Sequence, residues 1–189
     1  IAVKRIGKGH DSDDREYSAS EIRKHLNQNE IASLKNCESA ILFKLRTMTA
    51  EDFKKIDDVS EGLENRIVEA IKSSSSLEEI YDRIKTKRYT HSRVRRIILR
   101  AFLSIDSSLP KNPQYLHILG FNDRGKEILG QMKKTAKLPI ITKFSDIYNE
   151  SELVKELYLQ ECEFTNIYNL GFKEPKPCGT EQASKIVII

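Results

Sequence analysis

The sequence has 189 residues, 39% of them apolar and 32% charged, enough for one domain or one and a half; this balance excludes a disordered tail and suits a soluble protein with a real core. No apolar run nears the ~18 residues of a membrane span, no signal peptide is visible, and Cys37, Cys162 and Cys178 show no C-x-x-C spacing, so a reducing, cytoplasmic setting is expected. The net charge is +4, yet seven basic residues fall between Lys85 and Arg100, which leaves the rest of the chain at −3 and makes the basic character local, as for a face that binds a polyanion.

Taken in chain order, residues 1–6 (IAVKRI) read as a strand. One strand cannot bury itself, so the expectation is a piece of a longer protein, or a chain that must associate with a missing part. After the polar loop GKGHDSDDRE, YSASEIRKHLNQ reads as a helix, with Ser18 as cap, Glu21 in capping-box position, and Ile22 and Leu26 as its apolar stripe. A break is expected near LKNCES. ESAILFKLRTM is the next helix, and Thr49 with Asp52 suits the start of another. Ser60 is expected to open SEGLENRIVEAIKSS, where Leu63, Ile67, Ala70 and Ile71 share a face. Ser76 and Glu79 make a capping box before LEEIYDRIK.

The basic segment follows. Its helix is expected to start near Thr90 or Ser92, with Val94, Ile97, Ile98, Ala101 and Phe102 on the core side. Arg93, Arg96 and Arg100 fall together opposite, and Lys85, Lys87 and Arg88 lie in the turn before it. Further on, YLHILGF and LPIITKF read as short strands around a helical DRGKEILGQMKK, a small strand–helix–strand unit. SELVKELYLQECEFTNIYNLG reads as a helix broken near FTN, KEPKPCGTEQ as a loop, and KIVII as a terminal strand. The fold class is therefore mostly α with a minor α/β part.

Two patterns could carry function. The segment from Lys85 to Arg100 holds Lys85, Lys87, Arg88, Arg93, Arg95, Arg96 and Arg100 and no acid, so local i,i+4 neutralisation is absent. Arginine predominates, and its planar fork suits phosphate and base stacking. Tyr89 could stack on a base or pack in the core. The plain alternative for the whole run is a solvated face, and burial of these groups in ion pairs with the chain's own carboxylates would remove the physical footing of a nucleic-acid assignment. The second pattern is YSASEIR. A helix N-terminus with hydroxyls is an anion site that Arg23 could reach, against an ordinary capped helix with a surface arginine. Arg5 alone reads as an exposed strand residue. His25, His91 and His117 lack metal-ligand spacing, His91 reads as packed, and Gly120 and Gly125 read as turn residues.

YSASEIR resembles the I-S-S/T-T-x-I-R motif of the HIGH-motif nucleotidyltransferase superfamily. The order VKRIG, SASEIR, SEGLENRI, KTKRYTHSRVRRIIL, LHILGFNDRGKEIL and LPIIT resembles, more narrowly, the tRNA(Met) cytidine acetate ligase family. That resemblance implies the end of a Rossmann-like nucleotidyltransferase domain (residues 1–36) followed by a predominantly helical C-terminal domain (residues 37–189). The latter would comprise a helical part with the basic tRNA-binding helix (37–108), then a small α/β element and terminal helix (109–189). It implies ATP, with Mg2+, as substrate and no tightly bound cofactor, with acetate activated as acetyl-adenylate and passed to the wobble cytidine of elongator tRNA(Met). Arg5 would contact ATP; Ser18, Ser20 and Arg23 would lie at its phosphates; Lys85, Lys87, Arg88, Arg93, Arg95, Arg96 and Arg100 would hold tRNA. Glu61, Asn65 and Arg66 belong to the family signature without an assigned role. The family's H-x-G-H motif does not occur in this sequence; GKGH lacks the first histidine and follows the strand. The expectation is thus a C-terminal fragment, inactive alone, of a ligase whose N-terminal nucleotide-binding half is missing. The alternatives are a metabolite adenylyltransferase of the same superfamily and a non-catalytic RNA-binding module.

Overall fold

Apolar stripes at helical spacing build the first half of the structure, a computed structural model that describes residues 31–189. A 3-10 turn at Leu34–Cys37 leads into α1 (Glu38–Thr47), α2 (Ala50–Lys54), α3 (Leu63–Lys72), α4 (Leu77–Ile84) and α5 (His91–Phe102). The expected faces are the buried ones: Leu63, Ile67, Ala70 and Ile71 of α3 and Val94, Ile97, Ile98 and Ala101 of α5 join one core with Ile41, Leu45, Phe53, Ile80 and Ile84. Each such Leu, Ile, Val or Phe side chain contributes roughly 1.5–3 kcal/mol through burial.

The caps explain the helix limits. Thr49 and Asp52 form a reciprocal box at α2, and Thr90 caps α5 through the Arg93 N–H. Two expectations shift slightly. The cap of α3 is Gly62, in the left-handed region at φ 82°, and Ser60 only accepts the Leu63 N–H through its carbonyl. At α4, Ser76 accepts from Glu79 N–H, but the Glu79 carboxylate reaches back to the Ser75 amide, one residue beyond a regular box. The Glu38 carboxylate of α1 accepts from Leu77 N–H, which satisfies another free donor at the start of α4.

The second half is a small α/β unit. β1 (Leu116–His117) and β3 (Ile140–Ile141) pair in parallel, joined through α6 (Asp123–Thr135). β2 (Gly120–Phe121) pairs in parallel with β4 (Val187–Ile188). A 3-10 turn at Phe144–Asn149, the long α7 (Glu152–Tyr168), a further 3-10 turn at Asn169–Gly171 and the short α8 (Thr180–Ala183) complete it. Its core gathers Ile141, Ile147, Tyr158 and Cys162, with Tyr115 and Phe144 against them. The Gly171 carbonyl joins the halves, accepting from Ser33 N–H and from the Asn36 amide at 2.7 Å each.

Three expectations fail here. FTN does not break α7. Thr165 donates to Glu181 and Asn166 accepts from Gly179 N–H, so both side chains bond across to the next segment rather than compete for their own helix backbone. That same segment is not all loop, since α8 occupies Thr180–Ala183. Gly120 and Gly125 are not turn residues. Gly120 lies in β2, where an added Cβ would come within 2.9 Å of the Val187 carbonyl, and Gly125 lies in the first turn of α6, where one would meet Phe121 Cβ.

Candidate nucleic-acid interface

The α4–α5 turn is organised by Thr86. Its hydroxyl accepts from the Arg88 and Tyr89 N–H groups, and its own N–H donates to the Tyr89 carbonyl. This small hydroxyl turn leaves Lys85, Lys87 and Arg88 exposed on either side. Tyr89 takes the packed one of its two readings. It is half-buried against the helical core, with the guanidinium groups of Arg93 and Arg88 over its ring at 5.1 and 5.8 Å. Arg95 lies likewise over Tyr81, 5.4 Å from the ring centroid. These contacts hold the arginine planes by cation–π attraction.

The arginine row is not free of acids. Arg96 Nε donates to Asp58 Oδ2 at 2.9 Å and its Nη2 lies 2.9 Å from the same oxygen, Arg100 Nη1 lies 3.3 Å from Asp57 Oδ2, and Arg93 donates through Nη2 and Nε to the Asp58 backbone carbonyl at 2.5 and 3.2 Å. Arg88 pairs with Glu61, and Arg95 with Glu78 at 3.4 Å. The expectation of a row without acidic partners is therefore corrected. The partners come from the α2–α3 turn and from α4, out of reach of any i,i+4 rule. These are surface pairs all the same. The arginine side chains of the four ion pairs stay 30–60% exposed, a range in which a pair is worth about 0–1 kcal/mol and is readily exchanged. Seven cations against these four carboxylates leave the face at a net +3. Lys85 and Lys87 make no ion pair among the described residues.

Two of the signature residues without an assigned role gain one from this geometry. Arg66 donates to the Arg83 carbonyl at 2.7 Å and so caps the end of α4, while Glu61 holds Arg88. Both brace the basic turn. Asn65 donates to the buried carboxylate of Glu64 beside it. Arg5, Ser18, Ser20 and Arg23, with the strand and helix that would carry them, lie outside the described residues.

A second polar cluster sits in the α/β unit. His117 Nε2 lies 3.2 Å from the Tyr158 hydroxyl and Nδ1 3.7 Å from Glu161, beside an open cleft of about 320 Å³ that Tyr115 and Phe164 also line. Its phenols and thiol are poor nucleophiles. Burial, with Glu181 next, pushes Tyr158 up to about 12 and Cys162 up to about 11, and burial, followed by the nearby Glu161 carboxylate, raises Tyr115 as well. They remain protonated at neutral pH, as in a packed polar network. His91 is half-buried, with Nε2 3.4 Å from Asp82. No group of three metal-ligating side chains occurs among the described residues, and no described helix is long and apolar enough to cross a membrane.

The comparisons with known proteins agree with this architecture. The HIGH Nucleotidyl Transferase family model matches residues 27–183. The tRNA(Met) cytidine acetate ligase of Thermoanaerobacter sp. (strain X514) is 34% identical over an alignment covering 87% of this chain and 47% of that protein. The enzyme of the same name from Acetivibrio thermocellus is 36% identical, covering 77% and 37%. The crystal structure of Thermotoga maritima TmcAL in its apo form superposes with a TM-score of 0.75 at 31% identity, over 82% of this chain and 41% of that one. The form bound with alpha-thio ATP gives 0.76 at 30%, over 84% and 42%. The chain thus spans less than half the length of these relatives. With a family match across both its helical half and its α/β unit, this chain belongs to the HIGH nucleotidyl transferase family and is similar to the tRNA(Met) cytidine acetate ligases.

Proposed function

We propose that this chain is the tRNA-gripping part of a cytoplasmic, ATP-dependent ligase that acetylates the wobble cytidine of elongator tRNA(Met). The observation that carries the reading is the exposed cationic face of α5 and the Thr86 turn, in a chain similar to ligases of that name. A phosphate backbone laid on it would meet Lys85, Lys87 and Arg88 first, then Arg93, Arg95, Arg96 and Arg100. Each neutralised phosphate releases counterions, which drives association. Residues 1–36 would close the nucleotidyltransferase domain, and residues 37–189 would form the C-terminal domain.

In the proposed reaction an acetate oxygen attacks the α-phosphorus of ATP, the bond to the bridging oxygen breaks, and pyrophosphate leaves. The cytidine amine then attacks the acetyl carbonyl carbon, AMP leaves with the bonding pair, and the amine nitrogen loses a proton. Both partners of the first step are anionic, so cations must screen their approach. Arg5 and Arg23, with the Ser18 and Ser20 hydroxyls, would supply part of that screening at the phosphates of ATP, taken with Mg2+.

The test is pyrophosphate release by the full-length protein. With acetate and ATP, release should rise on addition of elongator tRNA(Met), with one acetyl group bound to RNA per pyrophosphate. Release with a phosphorylated metabolite and none with acetate would replace this reading by that of a metabolite adenylyltransferase.

A further inference from the structure

The α2–α3 turn sits on the arginine row in a way that simple surface pairing does not require. It offers three acids within five residues, Asp57, Asp58 and Glu61, and each holds a different arginine of the basic face: Arg100, Arg96 and Arg88. Arg93 closes the arrangement by binding the Asp58 carbonyl with two nitrogens. The carboxylate oxygens thus occupy the acceptor positions that phosphate oxygens would take, since guanidinium groups bind both in the same planar geometry.

The turn is also held in a costly shape. Asp58 and Glu61 have φ of 71° and 58°, and Gly62 follows at 82°. A non-glycine residue in the left-handed region is strained, and such residues persist where surrounding contacts over-determine them. Those contacts include the arginines, beside the Val59 N–H bond to the Ile56 carbonyl, the Leu63 N–H bond to the Ser60 carbonyl and the packing of Val59 on the core. Taking the arginines from the acids removes part of what holds the turn, so the turn has a reason to move when a polyanion claims them.

The geometry points to the turn Asp57–Gly62 as a carboxylate gate over the arginine row, with Asp57, Asp58 and Glu61 setting how strongly and how selectively this face takes a phosphate backbone. The inference rests on the tRNA-binding reading above. Lys85 and Lys87 make no ion pair among the described residues and would be the first contacts. The arginines would be released only to a backbone that follows the row closely enough to replace each carboxylate in turn. A short or poorly fitting polyanion would gain the lysines alone. Selectivity of this kind comes from an interaction that the wrong partner must break without replacing.

The experiment titrates the chain and two variants with fluorescently labelled tRNA between about 50 and 200 mM salt. One variant is Asp57→Asn with Asp58→Asn, since asparagine tolerates the left-handed φ and leaves the Asp58 carbonyl in place for Arg93. The other is Lys85→Glu with Lys87→Glu. The gate predicts that the asparagine variant binds about fivefold tighter at low salt, with a log–log salt slope steeper by about one to two, as two more phosphate contacts require. Unchanged or weaker binding by the asparagine variant, while the glutamate variant loses affinity, overturns the gate and leaves the tRNA surface standing. Unchanged binding by the glutamate variant removes the surface and the gate together. Amide exchange of residues 57–62 in the unaltered chain gives a reading that depends on no variant's folding: tRNA should speed it, and slower or equal exchange counts against a gate.

Discussion

Replacing Lys85 and Lys87 together by glutamate lowers affinity for tRNA on the order of 50-fold at low salt and flattens the salt dependence by about two phosphate contacts. Both side chains are exposed, on a turn whose shape is set by the Thr86 hydroxyl and not by the lysines. Their loss therefore leaves the fold alone, and circular dichroism and the melting temperature should match those of the unaltered chain. Arg93, Arg96 and Arg100 are a poorer choice for this purpose. Three glutamates there would face Asp57, Asp58 and the Asp58 carbonyl, so lost binding could reflect a displaced turn. Equal tRNA affinity in the lysine variant, measured by fluorescence anisotropy, would refute the assignment of this surface.

Phe53→Ala destabilises the chain by about 3–5 kcal/mol, a large part of the 5–15 kcal/mol that holds a typical domain. α2 has five residues, too few to be helical alone, and Phe53 is its one buried side chain, with 0% of its surface exposed. The Thr49–Asp52 box fixes the start of the helix, but only Phe53 docks it on the core. The acidic turn follows directly, so losing this anchor should also loosen Asp57 and Asp58 from the arginine row. Phe53→Leu keeps most of the apolar volume and should cost about 1–2 kcal/mol. Urea unfolding monitored by circular dichroism measures both. A cost below about 1 kcal/mol for the alanine variant would mean that α2 is held by something other than Phe53.

The helical core was legible because burial there follows a local rule. Leu63, Ile67, Ala70 and Ile71, and Val94, Ile97, Ile98 and Ala101, recur at the helical period, and all eight are buried. Thr49 and Thr90 were legible as caps for the same reason, since an N-cap acts within three residues. The ion pairs were not. Asp57 and Asp58 lie 35–43 residues before the arginines they hold, and no local pattern connects them. The continuity of α7 through FTN depended on Glu181 and Gly179, and the role of Gly120 on the arrival of Val187 from the end of the chain. Of the candidate site, the cationic half could be placed on its helix and turn, while Arg5, Ser18, Ser20 and Arg23 fall outside residues 31–189.

The central claim is that this face binds a sugar-phosphate backbone through several direct ionic contacts. Its most direct test is the salt dependence of tRNA binding by the unaltered chain. Four to six contacts predict a slope of log K against log salt of roughly −3 to −5. A slope between 0 and about −1, at measurable affinity, would contradict the claim.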